Sequence, residues 1–393
     1  MKTLSRRQFL IDGTGVVAAC AAAAALGPFT ACVSRAYAQA DVSGSIFKGD
    51  GPKQIWKWSR EGYGYQRLDE NRVACLICPN HCVLSPGDRS VCRSKVNVDG
   101  KLYSLAYGNP CAVHIDPIEK KPLYHFAPRS TAFSLAAAGC NFRCLNCQNW
   151  EISQAKPHEV QHRELFPADV AGSAKQAGCH SIAYTYSEPV TFYEYVLDTA
   201  QAARAAGLRN VLISNGYINR GPLIDLCRLL DAANINLKAY SDAIYRKLNG
   251  GRLAPVLATL KTLHDQGVHL EITHLVVPTY VDDEELVRRM CAWILKEVGP
   301  DHPLHFLRFQ PHYKLDRLPP TPVSTLARFR EIAIAEGIRY AYVGNVPNQE
   351  GNHTYCHQCR KLLIARAGYF IREYHLQANQ CEYCDTAIPG VWA

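Results

Sequence analysis

Three thiols stand at C-x3-C-x2-C in the stretch Gly139-Cys140-Asn141-Phe142-Arg143-Cys144-Leu145-Asn146-Cys147-Gln148-Asn149-Trp150. Thiolates at that spacing can hold three corners of an iron–sulfur cube and leave the fourth iron without a protein ligand. An iron with an open site can bind a small molecule directly, whereas a cluster held by four cysteines mainly passes electrons. Positions i, i+4 and i+7 also share one helical face, so a stripe of buried core cysteines would look similar. Here the intervening Asn141, Arg143, Asn146 and Gln148 are polar, and the segment follows a short apolar run at 133–138 that reads as a strand. A polar loop after a strand is the context of a metal site and the wrong context for a core helix.

Two further cysteine groups flank this one. Cys75, Cys78, Cys82 and Cys92 fall within eighteen residues around Pro79, Pro86 and Gly87, with His81 as a spare nitrogen ligand. That spacing describes a metal-bound knuckle and leaves zinc and an auxiliary iron–sulfur cluster both open. A structural zinc would fold the module; a cluster could relay an electron toward Cys140. Near the other end, Cys356-x2-Cys359 and Cys381-x2-Cys384 are separated by β-rich sequence and read as a zinc ribbon, with a second auxiliary cluster as the alternative. Seventeen cysteines are many for a chain of 393 residues, and the tight C-x2-C pairs indicate metal more than disulfides. Cys111, Cys179, Cys227, Cys291, His305 and His312 read as core or structural residues.

With 48% hydrophobic and 20% charged residues the chain is globular, and its length fits one large domain with smaller modules. The formal net charge is +8, of which Lys2, Arg6, Arg7 and Arg35 against Asp12 place +3 in the first 38 residues. Metal-bound thiolates lower the remainder further, so charge gives no case for a nucleic-acid partner. Ser5-Arg6-Arg7-Gln8-Phe9-Leu10 matches a twin-arginine export signal, followed at 16–26 by an apolar run too short to span a bilayer. Ala36-Tyr37-Ala38 offers a cleavage site, Ala38-Gln39-Ala40 a second, and Cys32 a lesser lipoprotein alternative. The expectation is export to the periplasm, with no integral membrane span in the mature chain. The twin-arginine route carries folded proteins, which suits one that must be loaded with metal beforehand.

The elements that must position these residues become regular after residue 129. Short β-rich runs at 133–138, 181–186, 210–214, 234–238, 268–275 and 304–309 alternate with helical segments at 168–176, 191–206, 222–233, 254–266, 283–298 and 322–336. The fold class expected is α/β, a partial (β/α)6 barrel, with chemistry at the carboxyl ends of the strands. Polar residues fall at those ends: Ser187-Glu188-Pro189, Asn215-Gly216-Tyr217, Lys238, and Arg308 to His312. The organisation expected is a leader at 1–38, a lead-in at 39–70, and a Cys-rich module with a charged loop at 71–128. The barrel at 129–345 and a zinc-ribbon-like module at 346–393 complete it. The charge-dense run Asp116-Pro117-Ile118-Glu119-Lys120-Lys121 reads as a solvated loop, and residue types alone assign it no chemistry.

Residues 70–390 resemble the radical S-adenosylmethionine (radical SAM) enzyme of the AmmeMemoRadiSam system, a relative of pyruvate formate-lyase and other glycyl-radical-enzyme activating enzymes. The resemblance rests on Cys75-Leu76-Ile77-Cys78, the Asp116 to Phe126 run, the Cys140 to Asn149 loop, Ala183-Tyr184-Thr185-Tyr186-Ser187-Glu188-Pro189, Ser214-Asn215-Gly216-Tyr217, Leu237-Lys238-Ala239 and Val343-Gly344-Asn345. It implies a [4Fe–4S] cluster on Cys140, Cys144 and Cys147, whose open iron chelates the amino and carboxylate groups of S-adenosylmethionine (SAM). It further implies that Glu188 holds the SAM amino group, Ser214 and Asn215 approach ribose and methionine, and Lys238 pairs with the carboxylate. Each of these also has a plain structural role available. Glu188 before a proline can cap a helix, Asn-Gly forms turns readily, and Lys238 can make a rim salt bridge. The chain departs from the family pattern at Asn236, where aspartate is usual, and at Val277-Pro278-Thr279-Tyr280-Val281-Asp282.

The resemblance implies an enzyme that reductively cleaves SAM to a 5′-deoxyadenosyl radical and abstracts hydrogen from an unidentified substrate. It needs an external one-electron reductant, and its substrate class includes a partner protein, as for an activase. The competing reading is an exported iron–sulfur and zinc protein serving as electron carrier or scaffold, which would not need Glu188, Asn215 and Lys238 to converge. A zinc-ribbon nucleic-acid binder is disfavoured by the export signal and by the lack of a basic, aromatic-laced patch. Export also requires that SAM travel with the folded protein or that the reaction precede transport.

Overall fold

The structure, a computed structural model, describes residues 57–347 and 349–392; the twin-arginine segment and most of the lead-in lie outside the described residues. Eight strands form the central sheet: β1 (Ala112–Pro117), β2 (Thr131–Ala136), β3 (Ser181–Tyr184), β4 (Arg209–Ser214), β5 (Ala232–Asn236), β6 (His269–Val276), β7 (Leu304–Arg308) and β8 (Ala341–Gly344). They stand across the sheet in chain order. From β2 to β8 every neighbouring pair is parallel, whereas β1 runs antiparallel to β2. Parallel strands covered on both faces should be apolar throughout, and all four residues of β3 and of β8 are buried.

Helices join the strands at Pro167–Gln176, Tyr193–Ala205, Arg220–Cys227, Leu253–Asp265, Glu284–Glu297 and Val323–Glu336. Local sequence sets several of their ends. Asp283 caps Glu284–Glu297 by accepting from the amides of Glu285 and Leu286, and Gly337, at φ 115°, closes Val323–Glu336 in the left-handed region.

Three expectations change. The parallel strands number seven, because Ala341–Gly344, beyond the six expected runs, joins the sheet as β8. The helix expected at 222–233 stops at Cys227, since Ala232 and Ala233 open β5; alanine favours helix locally, and tertiary burial overrides it. The charge-dense run is no solvated loop but the edge strand β1 and a turn of 3-10 helix at Ile118–Lys120, with Asp116, Glu119 and Lys121 all buried. Lys120 and Lys121 lie 2.7 and 2.6 Å from the Asp116 carboxylate, so these charges enter the protein as partners.

Two β-rich modules complete the described chain. The N-terminal one contains the sheets Arg60–Glu61/Lys101–Ser104/Lys95–Val98 and Tyr65–Arg67/Val73–Cys75/Val83–Leu84. It is fastened to helix Tyr193–Ala205 by Lys95 and Glu194, a pair 2.6 Å apart and essentially without solvent exposure. The C-terminal module is built on an antiparallel sheet of Thr354–Tyr355, Leu362–Ala367 and Phe370–Tyr374. It docks near the starts of the central strands. There Glu271, third residue of β6, accepts from the amides of Tyr124 (3.0 Å) and His125 (2.7 Å) and from His305 Nε2 (2.7 Å). His125 Nε2 meets the Tyr342 hydroxyl at 2.6 Å, and Arg366 donates to the Tyr124 carbonyl at 3.0 Å. Burial pushes His125 down to about 3, so the ring is neutral. His305 is thus structural, as expected from the sequence.

Candidate active site

The loop that follows β2 carries Cys140, Cys144 and Cys147. Gly139 enters it at φ 110°, and a Cβ there would run into Ser94 Oγ and the Cys92 carbonyl, so only glycine fits. The loop is then laced to the π-helical turn Tyr245–Asn249: the amide of Arg143 donates to the Asn249 carbonyl (2.8 Å) and that of Leu145 to the Leu248 carbonyl (2.9 Å). Asn249 Nδ2 donates to Cys144 Sγ at 3.2 Å, and the Phe142 amide to Cys140 Sγ at 3.4 Å. Turns of this kind recur at functional sites.

The donor set fits a cube better than a single ion. Among the described residues, the set of metal-ligating atoms lying within 4.8 Å of one another is Cys356, Cys359, Cys381 and Cys384. The thiols of Cys140, Cys144 and Cys147 are not gathered so tightly, and a cluster several ångströms across requires wider spacing. Burial pushes the Cys140 thiol far up and that of Cys147 up as well, so thiolates at these positions need a bound cation to hold them. The buried Oδ1 atoms of Asn146 and Asn249 have no hydrogen-bond partner within the protein.

Beside the loop, the ends of β3 and β4 are tied together by Glu188. Its Oε1 accepts from Ser214 Oγ (2.7 Å) and the Val190 amide (3.2 Å), and its Oε2 from the Asn215 amide (2.9 Å). Glu188 therefore does cap the 3-10 turn Pro189–Phe192, and it also fixes the Ser214-Asn215 turn. Burial raises its pKa, opposed by the Asn215 amide, the Ser214 hydroxyl, the Val190 amide and the charge of Lys238. Asn215 Nδ2 donates to Asn141 Oδ1 at 2.8 Å and lies 3.9 Å from Cys140 Sγ, so the turn reaches the cysteine loop directly. Gly216, at φ 72°, keeps the turn against Ile235, which a Cβ would meet at 2.8 Å.

Lys238, half-buried just beyond β5, lies near enough for its charge to lower the pKa of both Glu188 and Cys147. Among the described residues no carboxylate lies within ion-pair distance of its ammonium, so the rim salt bridge expected as its plain role is not formed. The structure thus brings together Cys140, Glu188, Ser214, Asn215 and Lys238 at the carboxyl ends of the strands, where such sheets place their sites.

Sequence reasoning missed a buried charged pair, Asp116 and Lys121, that the Tyr186 side chain links to this site. Tyr186, at φ 65°, donates its hydroxyl to Asp116, and its backbone carbonyl accepts from Asn149 Nδ2 at 2.8 Å. Lys121 Nζ stands 4.5 Å from the Tyr186 ring. The non-glycine left-handed backbone marks a constrained position beside the cysteine loop. The antiparallel pairing of β1 with β2 sets Asp116 opposite Ala132, near the amino end of β2, and no short-range signal encodes it. Trp150, which follows the loop, stacks on Tyr313 at 5.2 Å and 14° while remaining exposed.

The flanking cysteine groups differ in geometry. In the C-terminal module, Cys356 and Cys384 have their sulfurs 3.7 Å apart, as do Cys359 and Cys381. A tetrahedral ion with metal–sulfur bonds of about 2.3 Å gives sulfur–sulfur edges of about 3.8 Å. Cys75, Cys78, Cys82 and Cys92 instead line one pocket with Lys95, Asn141 and Thr191. Cys179, Cys227 and Cys291 are buried in the main apolar core, as anticipated, while Cys111 is half-buried and His312 makes a bridge to Leu315 in the loop after β7.

A model of the radical SAM superfamily matches residues 135–290. Over 334 residues the chain is 44% identical to an uncharacterized protein of Methanocaldococcus jannaschii, which spans 84% of this chain and 99% of that protein. It is 27% identical over 217 residues to pyruvate formate-lyase 1-activating enzyme of Escherichia coli K12, covering 49% of this chain and 85% of that enzyme. Among solved structures, Streptococcus suis SuiB bound to S-adenosylmethionine aligns at 13% identity with a TM-score of 0.44, covering 58% of this chain and 53% of SuiB.

Proposed function

The chain belongs to the radical SAM superfamily and is an enzyme of the activating-enzyme kind, and on that premise we propose that Cys140, Cys144 and Cys147 hold the catalytic [4Fe–4S] cluster while Glu188, Ser214, Asn215 and Lys238 hold SAM. The observation that carries this reading is the convergence, at one end of the central sheet, of a three-thiol loop, a fully buried carboxylate and a lysine with no ion-pair partner among the described residues. With cluster, SAM and one external electron, the site would supply reductive cleavage of the sulfonium to methionine and a 5′-deoxyadenosyl radical able to abstract hydrogen from the substrate.

The protein's own residues then have distinct tasks. Glu188 has four lone-pair directions and uses three within the protein, leaving one to accept from an ammonium group. Lys238 supplies the positive charge that a carboxylate ligand needs, without first breaking a protein ion pair. Asn215, spanning from Glu188 to Asn141, keeps the two ends of the SAM cradle in register with Cys140.

Membership in the AmmeMemoRadiSam system is supported by the motifs quoted above, and an activase role by the identity to the Escherichia coli activating enzyme. The tetrahedral edges at Cys356, Cys359, Cys381 and Cys384 support zinc, and their place at the amino ends of the strands supports a structural role. The Arg6-Arg7 leader supports export to the periplasm; replacing both arginines by lysine should keep the protein in the cytoplasmic fraction, and an unaltered distribution would sink that proposal.

Anaerobically loaded protein given dithionite and SAM should release 5′-deoxyadenosine. A full cluster complement with no deoxyadenosine would overturn the reading. Cys144→Ala should lose the SAM-responsive cluster and keep one zinc per chain.

A further inference from the structure

The two cysteine loops at this end of the molecule touch. Asn80, between Cys78 and Cys82, donates its amide to the Asn141 carbonyl at 2.9 Å, one residue from Cys140. On the other side Ser94 Oγ donates to the Ala138 carbonyl at 3.0 Å, and Arg93, which follows Cys92, reaches the Cys140 carbonyl at 3.5 Å and Gln154 Oε1 at 2.8 Å. Gly139 is held to glycine by the same contact, since a Cβ would strike Ser94 and Cys92. Cys92-Arg93-Ser94 is therefore laid directly along Ala138-Gly139-Cys140.

Cys75, Cys78, Cys82 and Cys92 line one pocket that Asn141 also lines. Their sulfurs are not gathered within 4.8 Å of one another, in contrast to the four C-terminal thiols whose edges suit a tetrahedral ion. One protein thus displays two four-cysteine sites, one tight enough for a single ion and one too wide for it. The wide one carries N–H and O–H donors to sulfur: the Val91 amide 3.5 Å from Cys82 Sγ and the Ser90 hydroxyl 3.0 Å from Cys92 Sγ. Such hydrogen bonds are the usual second shell of cluster thiolates. Lys95 lines the same cavity and brings a buried positive charge, balanced by Glu194, to a site that would collect four thiolates.

The geometry points to a second iron–sulfur cluster, of the four-cysteine [4Fe–4S] class, held by Cys75, Cys78, Cys82 and Cys92 and serving as the electron entry to the SAM site. All four irons have a cysteine, so this cluster has no open position and its chemistry is electron transfer. It takes one electron from a low-potential one-electron donor protein of the ferredoxin or flavodoxin class, reached through the half-buried Cys78 and Cys82. It is reoxidised in passing that electron to the cluster at Cys140, so no proton or group moves with it. The relay rests on the SAM-site reading above; the second cluster itself does not.

The deciding protein is the full chain with Cys140, Cys144 and Cys147 all replaced by alanine, purified anaerobically. It should retain about four iron and four sulfide per chain, and its reduced electron paramagnetic resonance signal should not change when SAM is added. Zinc in place of that iron, or no metal beyond the C-terminal ion, would overturn the proposal. In the wild-type chain iron should be about twice that of the variant; equal iron in the two would instead count against the catalytic cluster and leave the second one standing. Cys78→Ala with Cys82→Ala should keep the SAM-responsive signal, which also reports folding. With a reduced flavodoxin as donor its deoxyadenosine release should fall at least tenfold, and undiminished release would remove the relay role. If this variant does not fold, a redox titration of the wild-type chain decides: two separable clusters support the proposal, and one overturns it.

Discussion

The Ser214 hydroxyl donates a 2.7 Å hydrogen bond to Oε1 of Glu188, joining the ends of two neighbouring strands across 26 residues of chain. Because Glu188 also accepts from the Val190 and Asn215 amides, it is both the joint between the strands and the negative charge of the site. Glu188→Gln preserves the shape but turns an NH2 group toward N–H or O–H donors, leaving at least one buried partner unmatched. The expected loss of stability is about 1–3 kcal/mol. SAM affinity should fall about tenfold or more, as measured by anaerobic titration calorimetry. A variant that binds SAM as the wild type does would exclude Glu188 from the SAM site.

Lys238 has no carboxylate partner among the described residues, so its removal breaks no ion pair. Lys238→Met should leave the thermal midpoint within a few degrees and weaken SAM binding by about tenfold, the worth of one charge-assisted hydrogen bond of roughly 1.5 kcal/mol. A large drop in midpoint with unchanged SAM affinity would instead make Lys238 a structural residue.

Glu271 lies at the opposite end of the sheet and gives a pH signature. Burial alone would raise its pKa, but hydrogen bonds and charge from His269 and His305 outweigh that and hold the carboxyl well below the usual range. Since the folded-state pKa is depressed, the stabilisation is present above the unfolded value of about 4.3 and is lost as pH falls below it. Glu271→Gln should therefore cost ~3 kcal/mol near neutral pH, with the gap from wild type narrowing as pH falls from about 5 to about 3. Urea unfolding in a Cys140→Ala background, where loss of the catalytic cluster in acid does not intrude, measures it. A gap independent of pH would show that the carboxylate charge contributes nothing.

The N-terminal module makes the limits of local reading clear. Lys95 and Glu194 each look like a surface residue in sequence, yet they form a buried pair 99 positions apart. Asp116 and Lys121 read in sequence as solvated charges, because a charge-dense run usually is a solvated loop. They are buried because β1 pairs with β2 and carries the run across the amino ends of the strands. Ala232 and Ala233 have the propensity of a helix and the place of a strand.

What the sequence by itself determined were the features encoded at short range. The C-x3-C-x2-C loop, the two flanking cysteine groups and the βα period all depend on spacings of a few residues, and the strand ends carrying Glu188, Ser214, Asn215 and Lys238 follow from that period. What only the tertiary structure decided was whatever depends on distances between remote residues. It made Glu188 a joint between two strands, left Lys238 without a carboxylate partner among the described residues, and laid Cys92-Arg93-Ser94 along Gly139 and Cys140. It also drew four thiols together at one end of the molecule while spreading four others around a cavity at the other. Cysteine spacing cannot separate those two cases, because sulfur-to-sulfur distance is set by how whole strands and loops pack and not by the number of residues between ligands.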